Sequence, residues 1–175
     1  MRNPIFETNS QKVLDFLIQD PGKQFLAKEI EKETKMSRAG VNFAVRSLSK
    51  AELIIREKKA SIYLYSIDHY HPVIKQLKVL QIIIRLYSLV NQLKRHSKKI
   101  ILFGSCSRGE NRKDSDIDLC VLTDARQNVE ETIKKSRSKS KIQPIIRNAT
   151  QFYSMEQKES ILFEEINRGI TLWES

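Results

Sequence analysis

The chain has 175 residues, of which 40% are hydrophobic, so it can build one ordinary domain or two small ones with apolar cores. No apolar run approaches the length of a membrane span, and the residues after Met1 lack the apolar core of a signal peptide, so we expect a cytoplasmic protein with no membrane partner. Residues 1–99 carry the whole formal net charge of +10, which favours nucleic acid as a partner, with a basic surface that only aids solubility as the alternative.

Three helices and a hairpin are predicted before residue 70. Apolar residues recur at helical spacing in the first helix, and Ser37 is a typical N-cap for the third. In the third helix, the spacing places Val41, Ala44, Val45 and Leu48 on a buried face. The predicted elements are helices from Asn9 or Ser10 to Asp20, from Leu26 to Thr34 and from Ser37 to about Ala51, strands at 53–56 and 62–67, and a polar tip at 57–61.

This order of elements resembles a winged helix-turn-helix domain covering roughly residues 8–68. In that family the third helix lies in the DNA major groove and the wing touches the backbone or minor groove, so the resemblance implies double-stranded DNA as a partner. Arg and Asn side chains suit guanine and adenine edges, and lysines pair with phosphates. A protein-interaction module is the alternative. The candidate DNA-binding residues are Ser37, Arg38, Asn42, Arg46, Lys58 and Lys59.

One long helix is predicted from Val73 to His96, because no Gly or Pro interrupts this strongly apolar segment. Its apolar stripe is wider than a surface helix needs, so we expect it to be covered on more than one side, by the second domain and by either the wing or a second copy of the chain. A homodimer through this helix is therefore one expectation. The stripe comprises Val73, Leu77, Leu80, Ile84 and Tyr87, widened by Ile83, Leu86, Val90 and Leu93, and a basic face holds Lys75, Lys78 and Arg85.

Two apolar strands, 99–103 and 117–122, flank a polar segment that begins with Gly104-Ser105 and ends with Asp116. Side chains alternate along a strand, so Asp116 and Asp118 project to the same side, where they repel each other unless a divalent cation lies between them. Carboxylate ligands suit Mg²⁺, which often shares its shell with phosphates. Gly104 allows close approach of a phosphate, and the Ser105 hydroxyl and a helix starting there can bind its oxygens.

These residues resemble the minimal nucleotidyltransferases of the DNA polymerase β superfamily. The Gly-Ser, Arg-Gly and Ser-Asp-Ile-Asp-Leu pattern of that family stands here at 104–105, 108–109 and 115–119. The resemblance implies transfer of a nucleoside monophosphate from a nucleoside triphosphate, with two Mg²⁺ ions held by the catalytic pair Asp116 and Asp118. It also implies nucleotide binding by Gly104, Ser105, Arg108 and Ser115.

The third carboxylate of active family members is missing. The next predicted strand, 141–146, offers Gln143 and Pro144 where an acid is expected, and a neutral amide cannot act as a general base. Glu110, Asp114 and Asp124 are the possible substitutes, although all three lie away from that strand. Nucleotide binding is therefore better supported than turnover.

The sequence predicts an α+β protein with three parts: a winged helix-turn-helix domain at 1–70, a linking helix at 71–97, and an α/β nucleotidyltransferase domain with a small mixed sheet at 98–175. Beyond residue 122 we expect a basic helix at about 129–137, one final helix at about 154–168 and a packed edge at 170–173. Two functions stay open. The first is a nucleic-acid-directed protein that binds Mg²⁺-nucleoside triphosphate and transfers a nucleotide. The second is a DNA-binding regulator whose degenerate transferase domain senses nucleotide or docks a protein partner, as an antitoxin does.

Overall fold

The computed structural model describes residues 8–112, 114–136 and 141–175. They fall into two compact units, an N-terminal unit that ends at Lys75 and a C-terminal unit that begins at Gln76. Among the described residues, none of the helices combines the length and the hydrophobicity that a membrane span requires.

The N-terminal unit contains the three predicted helices. Thr8 caps the first with a capping box that includes Gln11, and the Ser37 hydroxyl caps the third by accepting a hydrogen bond from the Gly40 amide at 3.2 Å. The predicted buried face of the third helix is confirmed, since Val41, Ala44, Val45 and Leu48 are all buried. The helices are α1 (Asn9–Ile18), α2 (Ala27–Thr34) and α3 (Arg38–Lys50).

A three-stranded antiparallel sheet completes the N-terminal unit, in the order β1-β3-β2. The predicted tip at 57–61 was wrong: Glu57, Lys58 and Lys59 belong to the second strand, and only Ala60 and Ser61 form the turn, with Ala60 at φ +53°. A two-residue turn matches the strand twist better than the longer polar tip. Sequence periodicity also missed the shortest strand. The strands are β1 (Phe25–Leu26), β2 (Ile55–Lys59) and β3 (Ile62–Ser66).

The C-terminal unit is built on a small mixed sheet, as predicted. The strand order is β6-β5-β4-β7; β5 pairs antiparallel with β4 and parallel with β6, and β7 forms the other edge. The described elements of this unit and the helix leading into it are α4 (Pro72–Leu93), a 3₁₀ turn (Lys94–His96), β4 (Lys99–Phe103), α5 (Gly104–Ser107), β5 (Ile117–Leu122), α6 (Arg126–Lys135), β6 (Ile142–Arg147), α7 (Ala149–Lys158), α8 (Ser160–Asn167) and β7 (Ile170–Glu174).

Both faces of this sheet are buried, and alternation along β4 shows how. Ile100 and Leu102 pack in a cluster with α4 and α6, whereas Ile101 and Phe103 pack in a second cluster with α7 and α8. Along β5, Leu119 and Val121 join the first cluster, and Cys120 and Leu122 join the second. Asp118 therefore interrupts the face that packs against α7 and α8.

Helix α4 buries only part of the stripe that was predicted. Its residues from Gln76 onward belong to the C-terminal unit, and the predicted residues Leu86, Val90 and Leu93 enter the core there, together with Ile82, which the pattern missed. Of the other predicted residues, Val73, Leu80 and Tyr87 are 47%, 38% and 66% exposed. In a helix that is apolar on most sides, periodicity alone does not identify the side that faces the core.

The single final helix expected at 154–168 was also wrong. The segment forms α7 and α8, which are separated at Glu159, where φ −138° and ψ 47° leave the helical region. Helix α7 begins earlier than predicted because Asn148 and Gln151 form a capping box. The expected helix at 129–137 is α6, displaced towards the N-terminus; residues 137–140 lie outside the described residues.

Candidate active site

The two aspartates lie at the start of the central strand β5, which brings three elements together. Asp118 is paired in register with Phe103 on β4 and with Gln143 on β6. Asp116 precedes the strand by one residue and shares the face of Asp118, because side chains alternate. We call these two carboxylates and the Gly104-Ser105 turn the carboxylate site.

Gly104 closes this site from the end of β4. Its φ of +70° lies in the left-handed region, and a Cβ added there would overlap the Asp118 Oδ2 and lie 3.3 Å from its Cγ. Only glycine combines that backbone conformation with so close an approach. The sequence assigned Gly104 to the close approach of a phosphate, and the group that lies closest to an added Cβ here is the Asp118 carboxylate.

The surroundings of Asp118 disfavour the charged form of its carboxyl. Burial raises the pKa of its carboxyl above the usual value, and the negative charges of Glu165 and Asp116 raise it further, while Arg108 opposes them. The Asp118 carboxylate is thus repelled by one carboxylate just before β5 and by another on α8. A divalent cation relieves such repulsion.

Arg108 is already engaged by two acids. Its Nε lies 3.0 Å from the Glu110 Oε2, and its Nη1 lies 3.3 Å from the Glu165 Oε1. A phosphate that approached Arg108 would therefore compete with these carboxylates. Sequence analysis missed Glu165 because α8 contains no motif that marks it; only the fold brings it beside the aspartates.

The Asp116 carboxylate has two polar partners, one on β6 and one immediately before it. The Gln143 amide donates a hydrogen bond from Nε2 to the Asp116 Oδ2, and the Lys141 ammonium lies 3.4 Å from the same oxygen. Gln143 therefore stands beside the aspartates, where the third carboxylate was sought. Its side chain brings a donor where an acid would bring an acceptor.

The remaining candidates serve the loop that joins the strands. The Ser115 hydroxyl oxygen accepts the Arg112 amide at 2.8 Å, and the Ser105 carbonyl accepts the Glu110 amide at 2.9 Å. The helix expected at Ser105 is the single turn α5, only 4 residues long, so few peptide dipoles align there to attract an anion.

The buried thiol of Cys106 belongs to the Gly104 turn and is influenced by two cationic side chains of α4. Burial raises the pKa of Cys106 to about 11, with a further contribution from Asp118, and Lys78 and Arg85 on α4 oppose it. The Cys106 thiol donates to the Asp116 carbonyl at 3.4 Å, and the Lys78 ammonium donates to the Asn111 carbonyl. Two residues of the predicted basic face of α4 thus act on the turn; Lys78 itself is buried.

The donor set suits a divalent cation bound by two carboxylates. No group of three or more His, Cys, Asp and Glu side chains within the described residues is arranged as a metal cluster. Of the proposed substitutes, Glu110 pairs with Arg108, and Asp124 pairs with Lys98 at 2.6 Å beyond the other end of β5. Asp114 is exposed in the loop.

The DNA-binding candidates all belong to the N-terminal unit. Arg38 and Arg46 are exposed on α3, whereas Asn42 is half-buried and the Ser37 hydroxyl caps the helix. Lys58 is exposed on β2. The Lys59 ammonium donates to the Gln24 side chain at 3.0 Å and lies 3.6 Å from Glu57, so it already has local partners.

One family of known proteins matches part of the C-terminal unit. Residues 83–167 match the family model of the nucleotidyltransferase domain. The match supports a nucleotidyltransferase domain in this unit. The nucleotidyltransferase match begins within α4 and includes the Gly104 turn, both aspartates, Gln143 and Glu165. A search of curated proteins found no match.

Proposed function

We propose that the protein binds a Mg²⁺-nucleoside triphosphate at the carboxylate site and is directed to double-stranded DNA by its N-terminal unit. The observation that carries the first part is the convergence of Asp116, Asp118 and the Gly104 turn within the segment that matches the nucleotidyltransferase family. The aspartates hold the metal, and the turn and Arg108 hold phosphates. The metal, when bound, neutralises the triphosphate and orients it for transfer.

Incubation with each α-labelled nucleoside triphosphate, Mg²⁺ and candidate acceptors tests this part. Label retained with the protein on a filter, and lost with a chelator, reports binding; label that becomes covalently attached to an acceptor reports transfer. Binding of at least one triphosphate is the expected result. Failure to retain any of them would refute the proposal.

A second candidate is favoured by one contact. Gln143 approaches Asp116 with an amide nitrogen and cannot take the proton of an acceptor hydroxyl. This supports a DNA-binding regulator whose nucleotidyltransferase domain senses nucleotide or docks a protein partner, as an antitoxin does. Such a protein binds triphosphate with Mg²⁺ but transfers slowly, and Gln143→Asp does not restore transfer. A rise of about 10²–10⁴-fold in the Gln143→Asp variant would instead indicate a catalytic site that lacks its base.

The proposal of DNA binding rests on the N-terminal unit, whose three helices and hairpin resemble a winged helix-turn-helix domain. Arg38 and Arg46 of α3 present exposed cations, and β2 is exposed along its whole length, with Lys58 on it. Such cations pair with phosphates or guanine edges. Selection of bound duplexes from a random pool tests the proposal; absence of duplex binding at low salt would refute it.

Homodimerisation through α4 is part of the same proposal. Leu80 and Tyr87 lie two helical turns apart and are 38% and 66% exposed in the single chain. A second copy would cover them and would match two DNA half-sites. Sedimentation of the wild type and of Tyr87→Glu tests this, and a wild-type monomer at high concentration would contradict it.

A further inference from the structure

We propose that the carboxylate site holds one divalent cation per bound triphosphate, because Lys141 and Gln143 occupy the side of Asp116 that a second ion needs. This inference rests on the proposed nucleotide binding and deepens it. It concerns the number of ions that the site admits.

Two hydrogen-bond donors approach the Asp116 carboxylate from the segment that contains β6. The Gln143 amide and the Lys141 ammonium both approach one oxygen of Asp116, its Oδ2. An N–H group and a metal ion cannot share the same lone pair of that oxygen. Asp116 therefore offers its other oxygen to a cation, while the Asp118 carboxylate lies against the Gly104 turn.

The positive charge of Lys141 also disfavours a second ion beside Asp116. A second divalent cation placed on the β6 side of Asp116 would lie beside an ammonium group and would repel it. The positive charge of Lys141, 3.4 Å from the carboxylate, already offsets part of the negative charge that would attract the ion. Lys141 is 73% exposed, so it can swing away into solvent, but Gln143 then still brings a donor to the carboxylate.

Two ions that share the Asp116 carboxylate need a free oxygen lone pair on each of its two sides. The register places Gln143 directly beside Asp118 on the neighbouring strand, so an acid at position 143 would supply the missing oxygens. With glutamine there, the aspartates provide for the ion on the side of the Gly104 turn.

The test measures the ratio of bound metal to bound nucleotide. The wild-type chain is mixed with Mn²⁺ and a nucleoside triphosphate whose α,β-bridging oxygen is replaced by methylene. After ultrafiltration, elemental analysis gives retained Mn²⁺ and absorbance gives retained nucleotide. We expect a ratio of about one for the wild type and a rise towards two for Lys141→Ala combined with Gln143→Asp.

The matched control is Gln127→Asp combined with Lys134→Ala, which makes the same charge change on exposed positions of α6. Helix α6 follows the end of β5 opposite to the aspartates, so the control ratio should stay at about one. Gln143→Glu alone serves as a second variant if the double variant does not fold.

The outcomes separate the two proposals. A wild-type ratio near two overturns the single-ion inference while nucleotide binding stands. A ratio that stays near one in both Gln143 variants overturns the role given to Lys141 and Gln143. Absence of retained nucleotide overturns the proposed function and this inference with it.

Discussion

At the level of single residues, three contacts determine the charge and the available space of the carboxylate site. The Asp118 carboxylate is repelled by those of Glu165 and Asp116, Arg108 forms ion pairs with two acids, and the backbone at Gly104 leaves no room for a side chain. Because each contact involves few side chains, a single substitution tests each of them.

Gly104→Ala is expected to destabilise the C-terminal unit. The left-handed backbone alone costs roughly 1–3 kcal/mol for alanine, and the new methyl group also forces the Asp118 carboxylate to move. Urea denaturation measures the loss. Gly22→Ala is the control, since Gly22 has φ +86° but no atom within 4 Å of an added Cβ, and it should lose only the strain. Equal losses would show that the contact with Asp118 is unimportant.

Asp118→Asn is expected to stabilise the metal-free chain at neutral pH. Because the folded-state pKa of Asp118 is raised above 3.8, its stabilising contribution is present below that pH and is lost as the pH rises through the folded value. The variant cannot ionise, so its advantage in unfolding free energy should appear as the pH rises and vanish in acid. Denaturation with a chelator at several pH values measures it, and a variant less stable than the wild type at pH 7 would contradict it.

Glu165→Gln is expected to tighten triphosphate binding, because it frees Arg108 from one competing carboxylate. A partly exposed ion pair contributes about 0.2–1 kcal/mol, so the expected gain is roughly 1.5–5-fold. Titration calorimetry measures it. Glu164→Gln is the neighbouring control, since Glu164 pairs with Arg168 instead. A loss of affinity specific to Glu165→Gln would show that this carboxylate helps to hold the nucleotide complex.

At the level of secondary-structure elements, the exposed parts of α3 and β2 would contribute differently to the proposed DNA binding. Lys58 is exposed on β2, whereas Lys59 is held by Gln24 and lies close to Glu57. On α3, the buried face identifies Arg46 as a residue of the opposite, exposed side. The two elements should therefore affect affinity and sequence preference separately.

Arg46→Ala is expected to relax sequence preference, and Lys58→Ala to weaken binding to all duplexes equally. Loss of one phosphate contact lowers the slope of log affinity against log salt by about 1. Lys59→Ala should change the slope less, because its local partners already compete for the ammonium. Fluorescence anisotropy at several salt concentrations measures all three, and identical slopes for wild type and Lys58→Ala would contradict the assignment.

Local patterns in the sequence predicted the elements better than their packing. The Gly-Ser turn, the paired aspartates and the helix capped by Ser37 could be predicted because each depends on neighbours in sequence. The break at Glu159 could not, since neither Gly nor Pro marks it. Glu165 could not either, because only the packing of α8 brings its charge close to Asp118.

At the scale of the whole molecule, charge and chemistry are divided along the chain. Residues 100–175 hold 12 basic and 12 acidic side chains, so the excess of +10 lies before them. In the proposed function, the carboxylate site binds an anionic triphosphate through a cation, whereas the basic excess before residue 100 favours polyanions without one. Chelation of metal should therefore abolish nucleotide binding and leave duplex binding intact.

Metal-dependent triphosphate binding by the two aspartates can be measured by titration calorimetry. A nucleoside triphosphate is titrated into the wild type and into Asp116→Asn combined with Asp118→Asn, with Mg²⁺ and with a chelator. We expect binding only by the wild type with Mg²⁺. Asp114→Asn combined with Asp124→Asn removes the same charge elsewhere and should bind as the wild type does. Two results would contradict the proposal that these carboxylates bind the metal-bound triphosphate. One is equal affinity in the Asp116/Asp118 variant, and the other is an affinity that the chelator does not change.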